Sequence, residues 1–64
     1  METETIRILR TKKIEDNQLV LVNESIVCKF LWFIDDDHID LQPIDNITIL
    51  CVHKRNWYRL SLFG

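Results

Sequence analysis

Short apolar bursts separated by polar clusters run the length of this chain, the pattern of strands joined by turns. Residues 5–14 set Ile6 and Ile8 against Arg7 in a short basic stretch, read as a first strand. Glu15-Asp16-Asn17-Gln18 is a polar turn in which Asn17 tolerates a positive φ. Leu19 to Val22 is an unbroken apolar run, long enough for a strand and too short for a helix. Asn23-Glu24-Ser25 supplies the next turn.

Residues 26–34 are the densest stretch. One face of a strand there carries Ile26, Cys28, Phe30, Trp32 and Ile34, the other Val27, Lys29, Leu31 and Phe33. Apolar groups on both faces put this strand at the centre of a sheet or across an interface, with a buried helix as the rival reading. Asp35-Asp36-Asp37 breaks the run, and residues 38–42 alternate polar groups with Ile39 and Leu41, which predicts a hairpin with the aspartates at its tip. Pro43 has no N–H to donate and ends that strand. Residues 47–52 and 57–63 flank His53-Lys54-Arg55-Asn56 and predict a second hairpin. The sum is one all-β domain over residues 1–64, with five or six strands, no helix, and the form of a small antiparallel sheet or partly closed barrel.

Composition sharpens this. The apolar residues include nine Ile, eight Leu and four Val but no Ala, the best helix former. A 64-residue chain buries only about 60% of the surface its unfolded form exposes, so its core is marginal alone. Self-association is therefore expected, with Trp32 and Phe33 as interface anchors, each Å² of apolar burial contributing about 25 cal/mol. The longest apolar run, residues 30–34, falls far short of the ~20 residues that span a bilayer. The opening Met-Glu-Thr-Glu-Thr-Ile-Arg carries acid where a signal peptide needs base, so a cytoplasmic protein with reduced Cys28 and Cys51 is expected.

A net charge of −2 gives no general electrostatic case for DNA or for an anionic membrane. The charge is nevertheless blocked. Arg7, Arg10, Lys12 and Lys13 cluster early, Asp35, Asp36, Asp37, Asp40 and Asp45 in the middle, and Lys54, Arg55 and Arg59 late. Either these are solvated turns and edges, or Asp35, Asp36, Asp37 and Asp40 form an acidic element that docks on a basic protein surface. Carboxylates on a rigid hairpin imitate phosphates and compete with DNA for the same basic residues.

Candidate chemistry is sparse. His38, His53, Cys28 and Cys51 are zinc-ligand types, and Cys51 and His53 share a strand face, yet their spacing fits no zinc template. Adjacent aspartates at a tip point in different directions, so no metal and no cofactor is expected. Trp32, Trp57, Tyr58 and Phe63 beside Arg55 and Arg59 are either core or a stacking platform for single-stranded nucleic acid. That platform, with Arg7, Arg10, Lys12, Lys13 and Lys54, defines the alternative of a small β-barrel nucleic-acid module. Lys29, flanked by Val27-Cys28 and Phe30-Leu31, is either a snorkelling edge residue or a desolvated base. No complete catalytic constellation is visible, so the chain is read as non-enzymatic.

Residues 14–22, Ile-Glu-Asp-Asn-Gln-Leu-Val-Leu-Val, then Glu24-Ser-Ile-Val-Cys-Lys-Phe-Leu31, then Ile39-Asp-Leu-Gln-Pro-Ile-Asp45 form a wider pattern. It resembles the C-terminal β domain of LexA-like self-cleaving repressors and their phage relatives over residues 14–45. The family's pattern is an acidic turn, an apolar strand, a valine–any–valine–lysine strand and then a leucine–any–proline strand end. The resemblance sets Lys29 where that family has its lysine general base. The family's serine nucleophile lies on an upstream segment that this sequence lacks, and Ser25 and Ser61 match no such position. Asn17 replaces the usual glycine, and the pattern ends after Asp45. Peptidase activity is not implied, since a base without its nucleophile is half a device. The implied role is a non-catalytic, protein-binding regulator, a phage-type antirepressor that binds a transcriptional repressor and blocks its DNA binding.

Overall fold

A computed structural model describes residues 2–64. It is all-β in its main architecture: β1 (Leu19–Val22), β2 (Ile26–Asp35), β3 (His38–Pro43), β4 (Leu50–His53) and β5 (Leu60–Phe63) form one open sheet in the order β4-β3-β2-β1-β5. All four pairings are antiparallel. The sheet does not close into a barrel, and β2 takes the central place that its two apolar faces predict.

The hairpin between β1 and β2 turns through Asn23 and Glu24, both at positive φ (54° and 60°), with the Ser25 N–H donating to the Val22 carbonyl. Two consecutive left-handed residues make the tight turn, and the three residues 23–25 separate the paired Val22 and Ile26. Asn17 also sits at positive φ, as its residue type predicts.

Two sequence expectations are corrected. Residues 5–14 hold no strand; Glu4–Leu9 form a short helix, α1. The Thr3 side chain accepts from the Ile6 N–H at 3.2 Å, Glu4 and Arg7 pair across one turn, and Ile6 and Leu9, three apart, are both buried. Capping and a three-residue apolar spacing outweigh the alternation of Ile6 and Ile8. Nor do the last two strands form a hairpin. β4 pairs with β3 and β5 with β1, and the 3-10 helix Lys54–Arg59 carries the chain between the two edges. His53 caps that helix, and Trp57 drives it inward: its ring is 5% exposed, and its indole N–H donates to the Val52 carbonyl at 3.0 Å. Both of these strands are consequently shorter than expected. Ile47, placed in a strand by its sequence, is 89% exposed in the loop before β4.

The core lies on one side of the sheet. Val20, Cys28, Phe30, Ile39, Leu41 and Leu60 pack there beneath Ile6 and Leu9 of α1 and beneath Trp57. A bulge in β2 then shifts the pattern. Phe30 pairs with Leu41, Leu31 is extra, and Trp32 pairs with Asp40. The expected alternation holds only as far as Phe30. Beyond it Phe33 turns inward, edge-on to Phe30 and to Trp57 at 5.8 Å each, while Trp32 is left 49% exposed on the opposite face. No helix among the described residues is long and apolar enough to cross a membrane.

Candidate functional site

Three regions gather side chains able to bind. The first is the tip of the β2–β3 hairpin, where Asp35 and His38 are cross-strand partners. Asp35 Oδ1 accepts from the Asp37 backbone N–H and from His38 Nδ1, each at 2.8 Å. The His38 hydrogen bond, followed by that of Asp37, holds the Asp35 carboxyl below its ordinary range. Asp37 Oδ1 lies 3.1 Å from Lys54 Nζ, and the Asp37 carbonyl accepts from the Lys54 N–H at 2.8 Å. Asp36 is exposed and forms no side-chain hydrogen bond or ion pair with the described residues. Three of the four sequence-predicted acidic residues are thus brought together. Asp40 is not; it lies further along β3 on the opposite side from the core, accepting from the Trp32 indole at 3.1 Å.

Beside the tip runs a cleft of about 410 Å³ lined by Arg10, His53, Lys54, Arg55 and Trp57, with Glu2 and Asp36 at its rim. The Arg10 guanidinium stacks 4.5 Å over the Phe33 ring, and its Nε reaches Glu2 at 2.6 Å. His53 Nδ1 accepts from the Arg55 backbone N–H at 3.1 Å and from Arg55 Nε at 3.3 Å, which makes Nδ1 the unprotonated nitrogen. The His38 and His53 rings meet edge to face at 4.9 Å. Of the basic residues singled out in the sequence, only Arg10, Lys54 and Arg55 converge here; Arg7 is engaged by Glu4, and Arg59 by the Tyr58 hydroxyl. The aromatic residues do not form one platform. Trp57 is core, Tyr58 is 68% exposed beyond the cleft, and Trp32 and Phe63 lie on the far face.

The third region is that far face. The register places Leu19, Leu21, Val27, Lys29, Trp32 and Phe63 on it, with Asp40, Gln42, Ser61 and the exposed Cys51. Lys29 has Leu19 and Gln42 as cross-strand neighbours, so no serine stands beside it, and no carboxylate among the described residues lies within 4.0 Å of its ammonium. It lines a cavity of about 670 Å³ with Gln42 and the loop that follows, whose Ile44 and Ile47 are 66% and 89% exposed. Sequence reading missed this hollow. Its signal was the unusual run of isoleucines at 44, 47 and 49, outside any strand.

Cys28 and Cys51 are both free and point to opposite sides of the sheet. Burial, helped by the Asp45 carboxylate, raises the Cys28 thiol above its ordinary range, as expected for an inert core group. Among the described residues no three His, Cys, Asp or Glu side chains stand together as a metal site. Comparison with protein-family models, with curated proteins and with solved structures gives no match.

Proposed function

We propose that this chain is a non-catalytic protein-binding regulator that docks the acidic hairpin tip on a basic surface of a protein partner. In its specific form the partner is a transcriptional repressor, the surface is its DNA-binding face, and the action is that of an antirepressor. One observation carries the reading: Asp35, Asp36 and Asp37 project from the end of the central hairpin, two of them already fixed by His38 and Lys54 and the third left free. Pre-set carboxylates lose little freedom on meeting a partner's cations. At a solvated rim they govern association rate and salt sensitivity more than final affinity.

The test is affinity capture by the wild-type chain and by the D35N/D36N/D37N variant, at low and high salt, followed by a repressor–operator mobility-shift assay with whatever is captured. Asparagine keeps the turn preference and removes the charge. The wild type should retain a basic DNA-binding protein at low salt and release its operator, and the variant should do neither. Capture of the same proteins by both, with the same salt dependence, refutes the proposal.

A second reading has its own observation. Arg10, Lys54 and Arg55 around one cleft suit a phosphate backbone, which makes a single-stranded nucleic-acid module the alternative. Oligonucleotide binding that weakens with salt and is lost in R55A distinguishes the two.

A further inference from the structure

We infer that a second copy of this chain covers the far face of the sheet, in a two-fold pairing that sets the Trp32–Asp40 pair of each copy over the Lys29–Gln42 pair of the other.

The face has something to hide. Leu19, Leu21 and Val27 are only half-buried there, Trp32 is 49% exposed and Phe63 43%. Both α1 and Trp57 are committed to the other side, so neither of them covers this face. Contiguous apolar surface of this kind marks an interaction site.

Shape and charge on the face are complementary to themselves. Trp32 and Asp40 are cross-strand partners joined by the 3.1 Å hydrogen bond and make a knob with a negative edge. Lys29 and Gln42, also cross-strand partners, sit at the cavity of about 670 Å³; Asp45 lines it too, but no carboxylate of the described residues comes within 4.0 Å of the Lys29 ammonium, which is left open to a partner's acid. Knob and hollow lie on the same two strands, offset along them. A two-fold axis lying in the interface plane, running across the strands between them near Leu31, turns the second copy face to face and brings each knob onto the other copy's hollow. Each Lys29 then meets Asp40 of the other copy, and since in an isologous interface every contact occurs in duplicate, the dimer holds two such pairs. The indole then lies against an ammonium as well as against Ile44 and Ile47, the geometry of a cation–π contact.

Size agrees. The molecule measures 30 × 23 × 21 Å, so one broad face is comparable with the ~800 Å² per partner of a stable interface. The reading is independent of the acidic tip, which lies at the end of the hairpin and not on this face.

Sedimentation velocity on the wild type, from micromolar concentrations upward, should show twice the 7.7 kDa of one chain. K29D and D40K should each weaken the dimer about tenfold or more, W32A at least as much, and K29D/D40K should recover it, while the tip variant D36N leaves it unchanged. Circular dichroism identifies any variant that fails to fold. A second measurement needs no variant: carbodiimide treatment of a wild-type dimer joins carboxylates to ammonium groups in contact, and should yield an intermolecular Lys29–Asp40 link. A wild type that remains at 7.7 kDa overturns the inference and leaves the face to a different protein. So does a dimer that ignores K29D and W32A, a double variant that stays dissociated, or a cross-linked dimer lacking the Lys29–Asp40 product.

Discussion

The two faces of this sheet come from the same strands and differ sharply in burial. On the covered side Val20, Cys28, Ile39 and Leu41 are 0% exposed and Phe30 is 1%. Their immediate neighbours on the other side, Val27, Lys29, Asp40 and Gln42, are all half-buried. β3 separates cleanly, with Ile39 and Leu41 in and His38, Asp40 and Gln42 out, as an antiparallel strand wetted on one side should. β2 does not separate, because its outward positions are also apolar. Within one chain that surplus has no purpose. It teaches that a strand can look doubly buried in sequence while its outward positions at Val27 and Lys29 are only half-buried. The bulge at Leu31 sets the boundary: it sends Phe33 to the finished side and keeps Trp32, the larger aromatic, on the unfinished one.

The sharpest way to break this contrast is to truncate one residue on each face under conditions where the protein is monomeric. Phe30→Ala removes a fully buried ring and should cost about 3–5 kcal/mol, enough to unfold so small a domain at room temperature. Val27→Ala, a half-buried position with no cover, should cost less than about 1 kcal/mol. Urea denaturation measures both. Losses of similar size would mean that the far face is already packed within one chain. Under dimeric conditions the Val27→Ala cost should rise with protein concentration, because dissociation is then part of unfolding.

The same contrast shows what the sequence makes legible. β1, β2 and β3 can be read almost to the residue, since period-2 apolar runs end at turn formers such as Asn23 and Asp36 and at Pro43. The acidic tip can be read for the same reason. What could not be read depends on contacts between distant residues. Residues 5–14 offered alternation at Ile6 and Ile8, and only a sheet beneath Ile6 and Leu9 lets the Thr3 cap and the helical spacing prevail. Trp57 looked like strand material, yet its indole satisfies the Val52 carbonyl and winds residues 54–59 into a 3-10 crossover. The bulge shifts which face each later residue of β2 occupies, and one-residue shifts leave no mark in composition. The Lys29 cavity depends on a loop from another part of the chain, so a lone lysine among apolar neighbours was all that showed of it.

A smaller effect sharpens the comparison from the side of the cover. α1 closes the finished face through Ile6 and Leu9 but is only six residues long, too short to hold together without its cap and its packing. Thr3→Ala removes the acceptor for the Ile6 N–H and should cost about 1 kcal/mol, with Thr3→Ser close to wild type. Amide hydrogen exchange should quicken at Ile6 and Arg7 more than in β2. Equal acceleration throughout would mean that α1 and the sheet open only together, and that the cover is not a separable unit.

The smallest expected effect lies at the tip, which belongs to neither face. His38 and the Asp37 N–H favour the charged form of Asp35, so its folded value lies below the ordinary ~3.9 of an unfolded aspartate. A depressed carboxyl contributes stability that is fully present above the unfolded value and is lost as pH falls through the folded one. The pH-sensitive window is therefore below about pH 4, while near neutrality the contribution is fully present and does not change with pH. Because the group is exposed, water screens the interaction and the change should be slight. Asp35→Asn keeps an acceptor for the Asp37 N–H and removes the charge, so the variant should melt slightly below wild type at neutral pH and approach it at about pH 3. Thermal melts at the two pH values decide the matter. A deficit of the same size at both would mean that the aspartate serves the turn by its shape alone, and that its ionised hydrogen bond to His38 adds nothing to the rigidity of the tip.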